Sequence, residues 1–122
     1  MDITNPLTAD MSGLQLGHTT SAAEEIQKAL PRANVVKAFN TIFAQVLGAD
    51  RNGARPQVFY AGNDTGAKDA VRGIADSIGF EAIDSGPLAN ARHLEPLGML
   101  TIYLGYVAGR GTKIAPMVTP VS

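Results

Sequence analysis

The chain has 122 residues, 45% of them hydrophobic, which is enough for one domain (residues 1–122) with a real core. Charge is balanced at 10 Lys and Arg against 11 Asp and Glu, so there is no electrostatic footprint for nucleic acid or a membrane surface. The absence of cysteine excludes disulfides, thiolate nucleophiles and Cys-based metal sites, and the lack of a basic-then-apolar leader in Met1–Asp10 sets the cytoplasm as the expected location.

In chain order, Asp2-Ile3-Thr4 reads as a strand stub ended by Asn5-Pro6, and residues 7–17 read as loop. Ser21-Ala22-Ala23-Glu24 is a capping-box pattern that opens a helix, and Pro31 stops it. Asn34 to Phe39 is a short apolar strand, and Thr41 to Leu47 a short helix closed by Gly48. After a loop over 48–56, Gln57 to Ala61 predicts a strand. A helix follows in which Ala67, Ala70, Val71, Ile74, Ala75 and Ile78 share an apolar face. Phe80 to Ile83 is the next strand. A long helix runs from about Asn90 to Gly109, with Pro96 in its first turns or kinking it, and the tail from Gly111 is irregular. Strands starting near 34, 57 and 80, each separated by a helix, predict an α/β fold with about four mainly parallel strands.

Several residue groups carry candidate chemistry. The loop Leu16-Gly17-His18-Thr19-Thr20-Ser21 stands at a helix N-terminus, where free N–H groups and hydroxyls suit an anionic or carbonyl ligand, or serve only to cap the helix. His18 is either an acid–base group or an ordinary loop histidine. Asn40-Thr41 follows a buried-type strand, where Asn40 either hydrogen-bonds a ligand or caps the short helix. In Asp84-Ser85-Gly86-Pro87-Leu88-Ala89-Asn90-Ala91-Arg92 the Gly-Pro pair forces a turn, and Asn90 can cap the long helix. Arg92 either offers its fork to a carboxylate or phosphate or pairs with Glu95 at i, i+3. Tyr60, Tyr103 and Tyr106 are potential proton donors that also suit plain packing. No metal constellation is present, since nothing at ligand spacing joins His18 or His93. The Gly-x-Gly of Gly109-Arg110-Gly111 follows a helix and reads as a helix terminus, not a phosphate loop.

Three segments occur in a fixed order: Gly17-His18-Thr19-Thr20-Ser21-Ala22-Ala23-Glu24, Val35-Val36-Lys37-Ala38-Phe39-Asn40-Thr41, and Asp84 through Leu97. Together they resemble the NADPH-dependent reductases of the deazaflavin coenzyme F(420), in their C-terminal portion only. In that family a Gly-x-Gly-x-x-Gly Rossmann half comes first, and Met1 here falls where the fifth strand would already be running. The resemblance implies a truncated Rossmann-like half with a long C-terminal helix, and NADP and the deazaflavin coenzyme as cofactors, or no cofactor at all in these residues alone. It implies a coenzyme-facing set of Asn5, Pro6, His18, Thr19, Thr20, Asn40, Thr41, Gly86, Pro87 and Arg92. The catalytic candidates are His18, Asn40, Asp84 and His93. The expected partners are a small-molecule ligand, a complementing Gly-rich half, and a second copy of the chain bound through the C-terminal helix as a homodimer or higher oligomer. Two other functions stay open at this point: a cofactor-free isomerase, cyclase or lyase with a pocket at a dimer interface, and a non-catalytic binding or assembly module.

Overall fold

The computed structural model describes residues 1–10, 12–15, 18–48 and 50–122. Leu16 and Gly17 of the His18 loop therefore lie outside the described residues, as do Met11 and Ala49. The elements are α1 (Ala22–Ala29), β1 (Val36–Lys37), α2 (Ala44–Gly48), β2 (Gln57–Gly62), α3 (Thr65–Ser77), β3 (Glu81–Asp84) and α4 (Ala91–Ile102). A 3-10 turn (Leu88–Asn90) leads into α4, and a π-helical turn (Tyr103–Val107) continues it.

The sheet is α/β with strand order β1-β2-β3. β2 and β3 are parallel, pairing Gln57 with Glu81 through Tyr60 with Asp84. The 13-residue α3 between them supplies the crossover such a pair needs. β1 and β2 are antiparallel instead, with Val36 opposite Gly62 and Lys37 opposite Ala61. The mainly parallel sheet expected from the sequence is thus a mixed one. The link between these two strands carries only the five-residue helix α2, and the chain enters β2 running opposite to β1. The fourth strand reduces to a single parallel bridge, in which Asp2 N–H donates to the Val36 carbonyl at 2.7 Å and Ala38 N–H to that of Asp2 at 3.0 Å.

β2 is the middle of the molecule, and all six of its residues are buried. Alternation sends Val58 and Tyr60 to one face, where they meet Phe39, Phe43, Val71, Ala75 and Phe80. Phe59 and Ala61 point to the other face, against Leu94 and Leu97 of α4. α3 therefore covers one side of the sheet and α4 the other. On α3 the core stripe is narrower than the apolar pattern predicts. Val71 and Ala75 are buried and Ala67 is partly so, whereas Ile74 and Ile78 are 47% and 43% exposed. α1 packs through Ala23 and Ile26 onto Leu88 and Ala91, at the start of α4.

The caps explain the registers. Ser21 is the N-cap of α1, its Oγ accepting from Glu24 N–H at 3.2 Å. Asp64 caps α3 in the same way, through Ala67 N–H at 2.8 Å. Asn90 does not cap α4. The 3-10 turn already holds it in a helical conformation, and its Nδ2 donates back to the Ser85 carbonyl at 2.7 Å. At the far end Gly109 and Gly111 take φ values of +78° and +79°, as a helix terminus requires. Pro96 sits inside α4. Among the described residues, no helix is long and apolar enough to cross a membrane.

Candidate functional site

The chain leaves β1 through Phe39, a non-glycine residue at φ +62°. That left-handed turn is uncommon for an aromatic residue and is held by burial of its ring against Phe80, 5.8 Å away edge to face. It aims Asn40 sideways. The Asn40 Nδ2 donates to the Leu94 carbonyl of α4 at 2.7 Å and to Asn5 Oδ1 at 3.1 Å. Asn5 answers with its own Nδ2 on the Asn40 carbonyl at 2.7 Å. The helix can come this near only because residue 98 is glycine. A Cβ there would stand 2.4 Å from Asn5 Oδ1 and 2.9 Å from the Asn40 carbonyl oxygen.

Beside this knot lies a cleft of about 300 Å³, walled by Asn5, Asn40, Thr41, Phe43, Gly98 and Tyr106 among others. Tyr106 and Phe43 stack edge to face at 5.4 Å and make its apolar side. Asn40 and Thr41 are 5% and 2% exposed, and Asn40 Oδ1 and Thr41 Oγ1 are buried with no hydrogen-bond partner. A buried polar atom left unpaired costs about 1–3 kcal/mol, and here two such atoms stand on adjacent residues that line one cleft.

A buried charge cluster holds the cleft's frame. Lys37 is fully buried, and its Nζ lies 2.9 Å from both Asp2 Oδ2 and Glu95 Oε2 and also donates to the Thr4 carbonyl. Glu95 in turn accepts from the N–H groups of Ala22 and Ala23 at 2.8 and 3.2 Å, so it seats the N-terminus of α1 on α4. Burial pushes the Asp2 carboxyl up, but hydrogen bonds from Thr4 and Lys37 outweigh it and leave the carboxyl below its ordinary value. Asp2 and Lys37 each lie three residues before a cleft residue, Asn5 and Asn40, and Glu95 follows Leu94, whose carbonyl holds the Asn40 amide. Sequence reasoning passed over this cluster. Its one signal was a lysine in the apolar run Val35-Val36-Lys37-Ala38-Phe39, a position that demands a buried partner.

Of the residues singled out from the sequence, the structure brings Asn5, Asn40, Thr41 and Tyr106 together at this cleft. Asn40 is not the cap of the short helix, because α2 begins only at Ala44. Pro6 follows Asn5, and its carbonyl accepts from Gln15 N–H at 2.6 Å. His18, at φ +61°, and Thr19 are exposed, while Thr20 Oγ1 donates to Glu25 Oε1 at 2.7 Å; none of the three lines the cleft. His93 is exposed on α4. Asp84 accepts from Lys68 Nζ at 2.8 Å and Gly86 N–H at 2.9 Å, and Lys68 chiefly holds its carboxyl below the ordinary value. Gly86, at φ +93°, and Pro87 form the turn into α4, away from the cleft lining.

Arg92 does not pair with Glu95, which turns inward to Lys37. It grips Glu24 with both arms, Nε to Oε2 at 2.9 Å and Nη2 to Oε1 at 2.8 Å. Burial raises the Glu24 carboxyl, but hydrogen bonds from Arg92 and Ser21 prevail and lower it overall. Gly105 is likewise used within the chain, since a Cβ there would meet Phe43 Cζ at 2.5 Å. Gly98 and Gly105 therefore allow close packing within the chain. Among the described residues, no three His, Asp or Glu side chains converge as a metal site.

No protein-family model matches the chain. The Metalloreductase STEAP3 of Rattus norvegicus is 37% identical over 102 residues, which cover 82% of this chain and 20% of the rat protein. The F(420)-dependent NADP reductase of Methanocaldococcus jannaschii is 36% identical over 96 residues, covering 77% of this chain and 43% of the archaeal one. A crystal structure from Arthrobacter sp. FB24, bearing the name of an F(420)-dependent NADP reductase, superposes with a TM-score of 0.85 at 33% identity, over 98% of this chain and 56% of that one. The chain thus spans less than half the length of these curated relatives.

Proposed function

Because this chain is a relative of the F(420)-dependent NADP reductases over part of their length, we propose that its cleft holds the flat reactive ring of a redox coenzyme. The observation that carries the reading is the pair of unpartnered buried atoms, Asn40 Oδ1 and Thr41 Oγ1. Asn40 Oδ1 is an acceptor and requires an N–H; the Thr41 hydroxyl can donate to a carbonyl. A neighbouring N–H and C=O on one rigid edge is the pattern of a carboxamide or of a lactam-type ring. Nicotinamide and the deazaflavin ring both present it. Such a coenzyme, when bound, supplies the hydride chemistry.

The chain's own groups orient and enclose. Asn5 and the Leu94 carbonyl fix the Asn40 amide so that its oxygen is left for the ligand. Gly98 clears the floor, and Phe43 and Tyr106 give an apolar wall that excludes water from one side. A dinucleotide's pyrophosphate needs a glycine turn at a helix N-terminus, and the 122 residues contain no Gly-x-Gly-x-x-Gly. The pyrophosphate grip therefore comes from outside these residues.

The test is Thr41→Val, which keeps shape and removes the hydroxyl. Fluorescence titration with the deazaflavin coenzyme should show a dissociation constant raised on the order of fivefold, one lost hydrogen bond's worth. Equal affinity in the variant and the parent would end this assignment of the cleft. We also propose self-association through the outer face of α4 and the π-helical turn after it, where Leu100, Tyr103, Tyr106 and Val107 are each about half exposed or more.

A further inference from the structure

A second cavity, about 510 Å³, shares no lining residue with the Asn40 cleft and lies between the loop 50–56 and residues 113–117 of the tail. Three cations line it, Arg51, Arg55 and Lys113, against the single carboxylate of Asp50, and Val46, Ile114 and Met117 give it an apolar side. Arg51 is fixed in place. Its Nη1 donates to the Val46 carbonyl at 3.2 Å, its Nη2 to the Ile78 carbonyl at 2.7 Å, and its guanidinium lies 4.5 Å over the Phe80 ring. Gly79 makes this possible, since a Cβ there would come within 2.7 Å of Nη2. Two of the five N–H donors are thus engaged in these bonds, and no ion pair to Arg51 forms among the described residues. The Asp50 carboxylate accepts from Asn52 N–H at 2.9 Å. Arg55 has only a solvent-exposed pair with Asp76 at 3.6 Å. The tail wall is anchored as well: Val118 N–H donates to buried Gln57 Oε1 at 2.6 Å, and Gln57 Nε2 to the Val118 carbonyl at 3.0 Å.

We infer that this cavity binds a small organic anion, a carboxylate or phosphate monoester carried on an apolar body. The surplus of cations selects the charge, and a pre-set guanidinium suits a planar or tetrahedral oxyanion. The apolar side takes the body, and the volume is that of a small-molecule site. The site also touches the first cleft. Phe43, Ala44 and Gln45 line the cleft, Val46 lines the second cavity, and Arg51 holds the Val46 carbonyl. One short helix is therefore the shared wall.

Titration calorimetry on the 122-residue chain tests this with four probes: phenyl phosphate, benzoate, inorganic phosphate and benzyl alcohol. At least one aryl anion should saturate, and both inorganic phosphate and benzyl alcohol should bind at least about tenfold more weakly than it does. Whichever aryl anion binds more tightly identifies the headgroup. Lys113→Gln and Arg55→Gln, both at exposed side chains that leave the interior intact, should each weaken binding on the order of fivefold, as should raised salt. Arg51→Lys keeps the charge and loses the fork, and should cost on the order of tenfold. Absence of saturable binding by either aryl anion, equal binding of benzyl alcohol or of inorganic phosphate, or indifference to both Lys113→Gln and Arg55→Gln overturns the inference.

Discussion

Substituting alanine for Gly98 tests the account of the cleft most directly. In an exposed helix, Gly to Ala gains about 0.5–1 kcal/mol. At residue 98 the new Cβ would meet Asn5 Oδ1 at 2.4 Å, Asn40 Nδ2 at 2.9 Å and the Asn40 backbone oxygen at 2.9 Å. The backbone oxygen cannot swing aside, so α4 must retreat or the Asn5–Asn40 pair must part. Parting that pair loses two hydrogen bonds at about 1 kcal/mol each, and overpacking adds about 1–3 kcal/mol. Set against the helix gain, the net is a loss of about 2–4.5 kcal/mol, seen as a drop in Tm on the order of ten degrees or more for a domain of this size. Gly73 in α3 is the control. It is exposed, no atom lies within 4 Å of its would-be Cβ, and Gly73→Ala should raise stability. Thermal and urea unfolding of both variants measure the contrast. If Gly98→Ala is as stable as its parent, the close approach of α4 to Asn5 and Asn40 is not what shapes the cleft.

Further outcomes follow from the same contacts. Thr41→Val should leave unfolding free energy unchanged or slightly higher, because the hydroxyl it removes has no partner; a loss above about 1 kcal/mol would mean the hydroxyl is bonded in solution. Glu95→Gln takes one carboxylate from fully buried Lys37 and should destabilise by about 3–5 kcal/mol, checked by urea denaturation. Asp2 and Glu24 both have carboxyls lowered on folding, from ordinary values of 3.8 and 4.5. The unfolded chain therefore binds more protons in that range, so their contribution is complete above about pH 4.5 and is lost as pH falls through the lowered values. Urea midpoints that stay flat from neutrality down through pH 3 would contradict that sign. The bare chain should bind NADPH weakly, and a sub-micromolar constant by calorimetry would refute the need for an outside pyrophosphate grip. Light scattering should give at least twice the 12.7 kDa chain mass, and Leu100→Glu should shift it toward monomer or aggregate; a soluble parent monomer would rule out the α4 contact.

Local signals in the sequence located most elements, because each rests on nearest-neighbour chemistry. Ser21 three residues before Glu24, Gly79 after α3 and Gly109 after the last helix all mark real boundaries. The direction of β1 was not legible. Spacing alone shows strands and helices alternating, whereas orientation is set by pairing across the sheet, Val36 with Gly62 and Lys37 with Ala61, which no local pattern encodes. Asn5, Asn40 and Thr41 were legible as candidates, but their union depended on Gly98, a residue whose importance is spatial. Lys37, Asp2 and Glu95 were hidden for the same reason: the pairing joins positions 35 and 58 residues apart, and no local pattern encodes it. Arg92 was seen as a fork, yet its partner Glu24 already had a local role in the capping motif.

The six buried residues of β2 have a kinetic consequence. β2 alone has strand neighbours on both edges and helices on both faces, so its amide protons should exchange with solvent only when the whole domain opens. The Asp2–Pro6 segment is the opposite case. It is joined to β1 by the two backbone hydrogen bonds at Asp2 and by the Lys37 ion pair, and it should exchange early, through a local opening. Asn5 leaves with it, and Asn40 then loses the partner that orients its amide. The cleft's shape is thus governed by a segment that can open locally, while the strand beneath it stays intact.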